Sequence, residues 1–103
     1  MKIVLTTKRK NEITNILVEK KFEAFPHLKK EWEKKSQIYY MKFWSLKYGL
    51  FIPELEIWYG SDKIIVGASF QNSCFVEPNS GKHIFDNYND FIDFLKSIDL
   101  SNR

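Results

Sequence analysis

Residues 51–70, FIPELEIWYGSDKIIVGASF, decide the fold class because apolar residues recur at every second position on both sides of a loop triplet. The triplet, GSD at 60–62, is typical of a hairpin loop. Successive side chains of a strand point to opposite faces. One face of this hairpin would therefore be apolar, made of Phe51, Leu55, Ile57, Tyr59, Ile64, Val66, Ala68 and Phe70. Glu54, Glu56 and Trp58 fall on the other face.

Further strand-like segments lie on both sides of this hairpin. Residues 37–48 are rich in aromatic and β-branched residues, which favour strands. A shorter strand is predicted around Cys74–Glu77, before a PNSG turn at 78–81, and another at Lys82–Phe85. Together these segments predict an antiparallel β-meander of three to five strands.

Two helices are predicted before the sheet. Residues 8–21 have a helical apolar stripe of Ile13, Ile16 and Leu17. Pro26 disfavours helix at the residue before it and suits the first turn of a second helix over residues 26–36. In that second helix Leu28 and Trp32 are four residues apart on one face.

A third helix is predicted after the sheet. Asn87 can cap it, and its apolar stripe consists of Tyr88, Phe91, Leu95 and Ile98. The order of elements predicts an α+β fold, with two N-terminal helices, the meander, and a C-terminal helix packed on the sheet. Because 103 residues suit one core, we expect residues 1–103 to form a single domain.

Composition narrows the class of protein. Cys74 is the only cysteine, so an internal disulfide and a cysteine-based zinc site are both excluded. The longest apolar run, Ile64–Ala68, is too short to span a bilayer, and the N-terminus lacks the apolar core of a signal peptide. We therefore expect a cytoplasmic protein without a membrane partner.

Net charge is +3, but its distribution along the chain is uneven. Residues 1–50 hold twelve Lys/Arg and five Asp/Glu, giving +7, whereas residues 51–103 hold four and eight, giving −4. If the two halves lie apart in space, their field would steer an acidic partner to one side of the molecule.

The candidate catalytic groups do not assemble into a recognisable motif. The four glycines are not arranged as a nucleotide-binding fingerprint. Cys74 and His83 could meet as nucleophile and base, but no third orienting group is indicated, so a buried cysteine and a surface imidazole are favoured. Glu54 and Glu56 could hold a metal ion, but a solvated strand face is favoured. We expect no enzyme, metal or cofactor.

Basic clusters mark the first candidate binding surface. Lys29, Lys30, Lys34 and Lys35 fall in the second predicted helix, and together with residues 8–10 and 20–21 they could contact phosphates or an acidic protein. A lysine-rich surface recognises the charge of the phosphates more than the sequence of the bases. A plain solvated helix face is the competing interpretation.

Aromatic residues mark the second candidate surface. Nine Phe, five Tyr and three Trp make up 17% of the chain. Tyr40 and Trp44 share a predicted face with Ile38, Leu46 and Tyr48, and Trp58 lies between Glu54 and Glu56. Tyr and Trp beside charges are typical interface anchors. Two interpretations stay open: elements cover both faces of the sheet, or one face binds a partner.

These observations favour a non-enzymatic protein-binding module that occludes a target. Small inhibitors and immunity or anti-defence proteins of phages and bacterial conflict systems are common at this length. The alternative is a nucleic-acid-binding protein whose basic N-terminal helices contact phosphates. The sequence leaves the identity of the partner and homo-oligomerisation open.

Overall fold

Residues 54–69 form the hairpin that their alternation predicts. The structure is a computed structural model that describes residues 3–25, 33–35, 38–48, 52–60, 62–70 and 80–100. Its elements are α1 (Thr7–Glu19), β1 (Glu23–Phe25), β2 (Glu33–Lys35), β3 (Ile38–Trp44), β4 (Glu54–Tyr59), β5 (Ile64–Ser69), β6 (Gly81–Phe85) and α2 (Tyr88–Ser97).

The strands form one antiparallel sheet in the order β1-β3-β4-β5-β6. Strand β2 also pairs with β3, opposite residues 38–40, whereas β1 pairs with residues 42–44. Since β4 takes the other side of β3, the two short strands share one edge. The four strands β3 to β6 form the predicted meander, and the α+β fold class is confirmed.

One core joins the helices to one face of the sheet. The buried residues of α1, including Ile13 and Leu17, and those of α2, including Phe91 and Leu95, belong to the same cluster as the inward side chains of the strands. In β4 these are Leu55, Ile57 and Tyr59. The described part of the molecule therefore has two layers, helices and sheet. The predicted packing of the C-terminal helix on the sheet is confirmed.

Both ends of α1 have side-chain or backbone caps. The Thr6 hydroxyl accepts a hydrogen bond from the Arg9 amide at 3.2 Å. At the other end, the Phe22 amide donates to the Leu17 carbonyl at 2.8 Å and the Lys21 amide to the Val18 carbonyl at 2.9 Å. This pair of bonds is a Schellman motif, which places its turning residue in the left-handed region. That residue is Lys21, with φ of 70°.

Helix α2 begins where the sequence predicts. The Asn87 side chain accepts a hydrogen bond from the Asp90 amide at 2.9 Å, so Asn87 is its N-cap. Asp90 lies in the first turn and Lys96 in the last, as the helix dipole favours. Within the described ranges, neither helix combines the length and apolarity that crossing a membrane requires.

A tyrosine joins the two helices. The Tyr88 hydroxyl donates to the Glu12 carboxylate, and the Arg9 guanidinium lies 4.3 Å from the centre of the Tyr88 ring. Burial raises the pKa of Tyr88, and the hydrogen bond to Glu12 raises it further. At the far end of α1, the Lys20 ammonium donates to the Ile98 carbonyl.

The second predicted N-terminal helix, over residues 26–36, is wrong. Residues 33–35 are β2, with Lys34 opposite Tyr39 and Lys35 opposite Ile38. A short isolated helix is marginally stable, whereas the open edge of β3 offers backbone partners for a strand. Residues 26–32 lie outside the described part of the chain.

Two further predictions concern the end of β3 and a strand at Cys74–Glu77. The predicted alternation through Leu46 and Tyr48 is wrong, because β3 ends at Trp44. Tyr48 then packs against the core, and its hydroxyl donates to the Lys20 carbonyl at 3.0 Å. The predicted strand at Cys74–Glu77 lies outside the described residues.

Replacing Lys21 by glycine is expected to stabilise the protein. A non-glycine residue in the left-handed region costs about 1 kcal/mol or more, so Lys21→Gly should raise the free energy of unfolding by about 1 kcal/mol in urea titrations. Lys21→Ala is the matched control, because it removes the same side chain without relieving the backbone. Equal stabilities of the two variants would contradict the strain.

Stability is expected to fall at alkaline pH. The folded protein keeps Tyr88 protonated above the ordinary tyrosine pKa of 10.0, at which the unfolded chain ionises. The contribution of Tyr88 is therefore complete below about pH 10 and declines as the pH rises above it. Tyr88→Phe should cost about 1 kcal/mol at pH 7 and flatten this decline. Parallel pH curves for the two proteins in urea titrations would refute the linkage.

Candidate partner-binding face

The sheet face turned away from α1 and α2 is the candidate site, and we call it the open face. Alternation along β4 sends Glu54, Glu56 and Trp58 to this face while their neighbours enter the core. The pairing of β4 with β3 and β5 then sets which side chains lie side by side. The open face carries Glu23, Tyr40, Lys42, Trp44, Glu54, Glu56, Trp58, Ile65, Gly67, Ser69, Lys82 and Ile84.

An apolar row crosses four strands of the open face. Tyr40 lies opposite Trp58, Trp58 opposite Ile65, and Ile65 opposite Ile84. The Tyr40 and Trp58 ring centres are 5.2 Å apart. The first three side chains are half-buried and Ile84 is 53% exposed. We call these four residues the apolar row.

A lysine lies between two carboxylates beside the apolar row. Lys42 Nζ lies 3.6 Å from Glu54 Oε2 and 4.0 Å from Glu56 Oε1. The carboxylate side chains keep 39% and 38% of their surface exposed, against 24% for the lysine. Direct charge-assisted hydrogen bonds are about 2.7–2.9 Å long, so both contacts are loose.

Trp44 lies between two glutamates in the next row. Glu23 of β1 is opposite Trp44 on one side, and Glu54 of β4 is opposite it on the other. Together with Glu56, these carboxylates give one end of the open face three negative charges, and Lys42 and Lys82 supply two positive charges beside them. We call Glu23, Glu54, Glu56 and Trp44 the acidic end.

A depression of about 330 Å³ lies beside the carboxylates, at the C-terminal end of β5. Gly67 is one of its lining residues, and a Cβ added to this residue would meet no atom within 4 Å. Glu54, Glu56, Ser69 and Lys82 line the sides. A glycine inside a strand often marks the close approach of another molecule.

The structure brings together all five residues of the predicted aromatic surface. Tyr40, Trp44, Glu54, Glu56 and Trp58 lie on adjacent strands of the open face. Trp58 is not alone on a polar strand face, however, since Tyr40 and Ile65 flank it. Both described helices pack on the opposite face, so they do not cover this one.

The predicted basic surface of Lys29, Lys30, Lys34 and Lys35 depended on a second N-terminal helix. Lys34 and Lys35 are consecutive residues of strand β2, so the helix face that was predicted to group them is absent at these positions. Lys29 and Lys30 lie outside the described residues. The charge halves are also not separated at the helix layer, because basic α1 lies directly beside acidic α2.

The structure does not bring the candidate catalytic residues together in an arrangement that it describes. Cys74 lies outside the described residues, so its predicted approach to His83 is not described. The His83 ring lies 4.5 Å from the Phe94 ring and 6.4 Å from the Phe85 ring. Among the described residues no group of three potential metal ligands is found. The carboxylates of Glu54 and Glu56 share a lysine instead.

Seven residues of the open face were not predicted from the sequence: Glu23, Lys42, Ile65, Gly67, Ser69, Lys82 and Ile84. Glu23, Lys82 and Ile84 belong to the outer strands β1 and β6, whose pairing the sequence does not give. Lys42 carried a signal, since it lies between Tyr40 and Trp44 in the alternation of β3. Ile65 and Gly67 carried a signal, since continuing the alternation of β5 places both on the face of Trp58.

Comparison of the chain with protein-family models, curated proteins and solved structures finds no match.

Filling the depression is expected to leave the fold intact. Gly67→Val adds a β-branched residue in open space, so the free energy of unfolding should stay equal or rise by up to about 1 kcal/mol. Gly81→Val is the matched control, because Gly81 also has open space but a φ of 108°. It should destabilise the protein in the same urea titration. If Gly67→Val destabilises as strongly, the space above Gly67 is not open.

Proposed function

We propose that this protein is a non-enzymatic binding module that docks on another protein through the open face. The observation that carries the proposal is the apolar row, which lies on the sheet face opposite both helices. A row of adjacent apolar side chains with a polar rim is typical of interaction sites. Its Tyr40–Trp58 pair supplies the aromatic area that dominates binding energy in most interfaces.

The chemistry of the face supports binding more than catalysis. Its carboxylates, Glu54 and Glu56, share Lys42, and among the residues that the structure describes they do not belong to a group of three potential metal ligands. Its aromatic residues Tyr40 and Trp58 are half-buried on a paired sheet, which limits the entropy lost on docking.

We place the protein among small cytoplasmic proteins that occlude a target, the class that includes inhibitors and immunity or anti-defence proteins of phages and bacteria. Chain length and the absence of an assembled catalytic motif in the sequence support this placement. The nucleic-acid alternative relies on Lys29, Lys30, Lys34 and Lys35. The strand at 33–35 removes the helix on which they were expected to lie together.

Affinity purification from the native host tests the proposal. Tagged wild-type protein should retain one stoichiometric protein after nuclease treatment. Trp58→Ala should lose it, because truncating a central aromatic anchor commonly costs 2 kcal/mol or more, about thirtyfold in affinity. Val18→Ala is the control, since Val18 is 59% exposed on α1, away from the open face.

Two outcomes would contradict the proposal. Retention of the target by Trp58→Ala at wild-type level would exclude the open face. Recovery of nucleic acid, with proteins lost on nuclease treatment, would favour the alternative. Glutamate substitutions at Lys29, Lys30, Lys34 and Lys35 should then abolish recovery.

A further inference from the structure

We propose that two copies of this chain pair antiparallel through strand β6, so that the two sheets continue into each other and their open faces form one surface. The pairing is about a two-fold axis, with Ile84 of one copy opposite Ile84 of the other. This inference goes beyond the proposed function, because it concerns the assembly of the protein and needs no target.

The position of β6 in the sheet is the first argument. Among the described strands, β6 lies at one edge and pairs with β5 alone. A strand at an edge presents backbone N–H and C=O groups on its outer side, and a further strand can pair with them. The opposite edge is divided between β1 and β2, which have three residues each, whereas β6 is a continuous strand of five residues. The longer strand offers the better template.

Charge complementarity is the second argument, and it selects the register. Asp86 directly follows the last residue of β6, and both Asp86 and Lys82 are exposed. With Ile84 opposite Ile84, Lys82 of each copy lies opposite Asp86 of the other, so the axis produces two such pairs. A lysine in an edge strand commonly prevents pairing between molecules, but here the position across from it is a carboxylate. An axis centred on Lys82 would instead place the two lysines together.

The exposed isoleucine of β6 is the third argument. Ile84 keeps 53% of its surface exposed at the outer end of the apolar row. In the proposed register it meets the same side chain of the second copy, since residues directly opposite have Cβ atoms about 4.5–5.5 Å apart. A two-fold axis between antiparallel strands is perpendicular to the sheet, so both open faces lie on the same side. The two apolar rows therefore join end to end.

The other side of the sheet favours the same register. It places His83 of each copy opposite Phe85 of the other. Both rings are half-buried and contact Phe94 of α2, at 4.5 and 5.3 Å between ring centres. Aromatic pairs across neighbouring strands stabilise antiparallel sheets. The helix side of β6 therefore adds to the pairing rather than opposing it.

Joining the faces changes the size of the surface that a target would meet. The apolar row of one chain spans about 14 Å across four strands, whereas the joined row spans about 34 Å. A standard interface buries about 800 Å² on each partner, which is a patch about 28 Å across. One chain therefore presents a row about half as wide as such a patch, and the pair covers it. The contact between the copies is itself small, from Lys82 to Asp86 in each chain, so we expect a reversible dimer.

Charge reversal across the axis tests the pairing. Sedimentation velocity of the purified full chain, from about 1 µM to about 1 mM, should show monomer and dimer in equilibrium. Lys82→Glu should weaken dimerisation by about tenfold or more, because both symmetric contacts become repulsive. Lys82→Glu with Asp86→Lys reverses both partners and should restore the dimer to within about threefold of wild type.

Lys47→Glu is the matched control. It makes the same change of charge at an exposed residue beyond the end of β3, away from β6, and should dimerise as wild type does. A wild-type chain that stays monomeric throughout the concentration range would overturn the proposal. Equal weakening by Lys47→Glu and Lys82→Glu would overturn the role of this edge.

A cysteine at the axis tests the register. Cys74→Ser removes the only native thiol. In that background Ile84→Cys places two thiols opposite each other, within reach of a disulfide, and oxidation should link the dimer. Lys82→Cys places its thiols four residues apart along the strands, about 13 Å, and should link about tenfold more slowly. Equal rates, or no linkage at position 84, would overturn the register.

The two assays are independent of the target. A monomeric chain that still captures its target through Trp58 would exclude the dimer and leave the proposed function standing. A dimer whose target is retained by Trp58→Ala would exclude the proposed function and leave the pairing of β6 standing.

Discussion

The register of β4 between β3 and β5 is the constraint on which both layers of the molecule depend. Side chains of a strand alternate with a period of two, so shifting this pairing by one residue would exchange the two faces. In the observed register Leu55 and Ile57 enter the core, where they meet α1 and α2. The same register leaves Glu54, Glu56 and Trp58 on the open face. Core and candidate site are thus two consequences of one alternation.

Elements with strong local signals could be predicted from the sequence. Helix α1 has an apolar stripe, α2 has an Asn87 cap, and the hairpin has a turn triplet between two alternating runs. Each of these signals lies within a continuous stretch of twenty residues or fewer. The segment around Leu28 and Trp32 had helical spacing too, but part of it, β2, pairs with β3. That outcome depends on an available sheet edge, a non-local property that residue spacing does not reveal.

The residues of the candidate site also differ in whether a local signal or strand pairing groups them. Alternation alone grouped Glu54, Glu56 and Trp58, because they belong to one strand. Recognising that Lys42 lies between the two carboxylates requires the β3–β4 register, and recognising the apolar row requires the pairing of four strands. Paired neighbours across the sheet come from positions up to about twenty residues apart here, as with Glu23 and Trp44, so composition and spacing could not identify them.

The arrangement of the open face also bears on how a partner would be oriented. The apolar row is not uniform along its length, because the Tyr40 and Trp58 rings lie at one end and the aliphatic Ile65 and Ile84 at the other. The carboxylates of Glu54 and Glu56 lie on one side of the row, with Lys42 between them. A partner would therefore meet a face that differs both along the row and across it. Burial on the row would supply most of the affinity, whereas the charges beside it would fix orientation and penalise wrong partners.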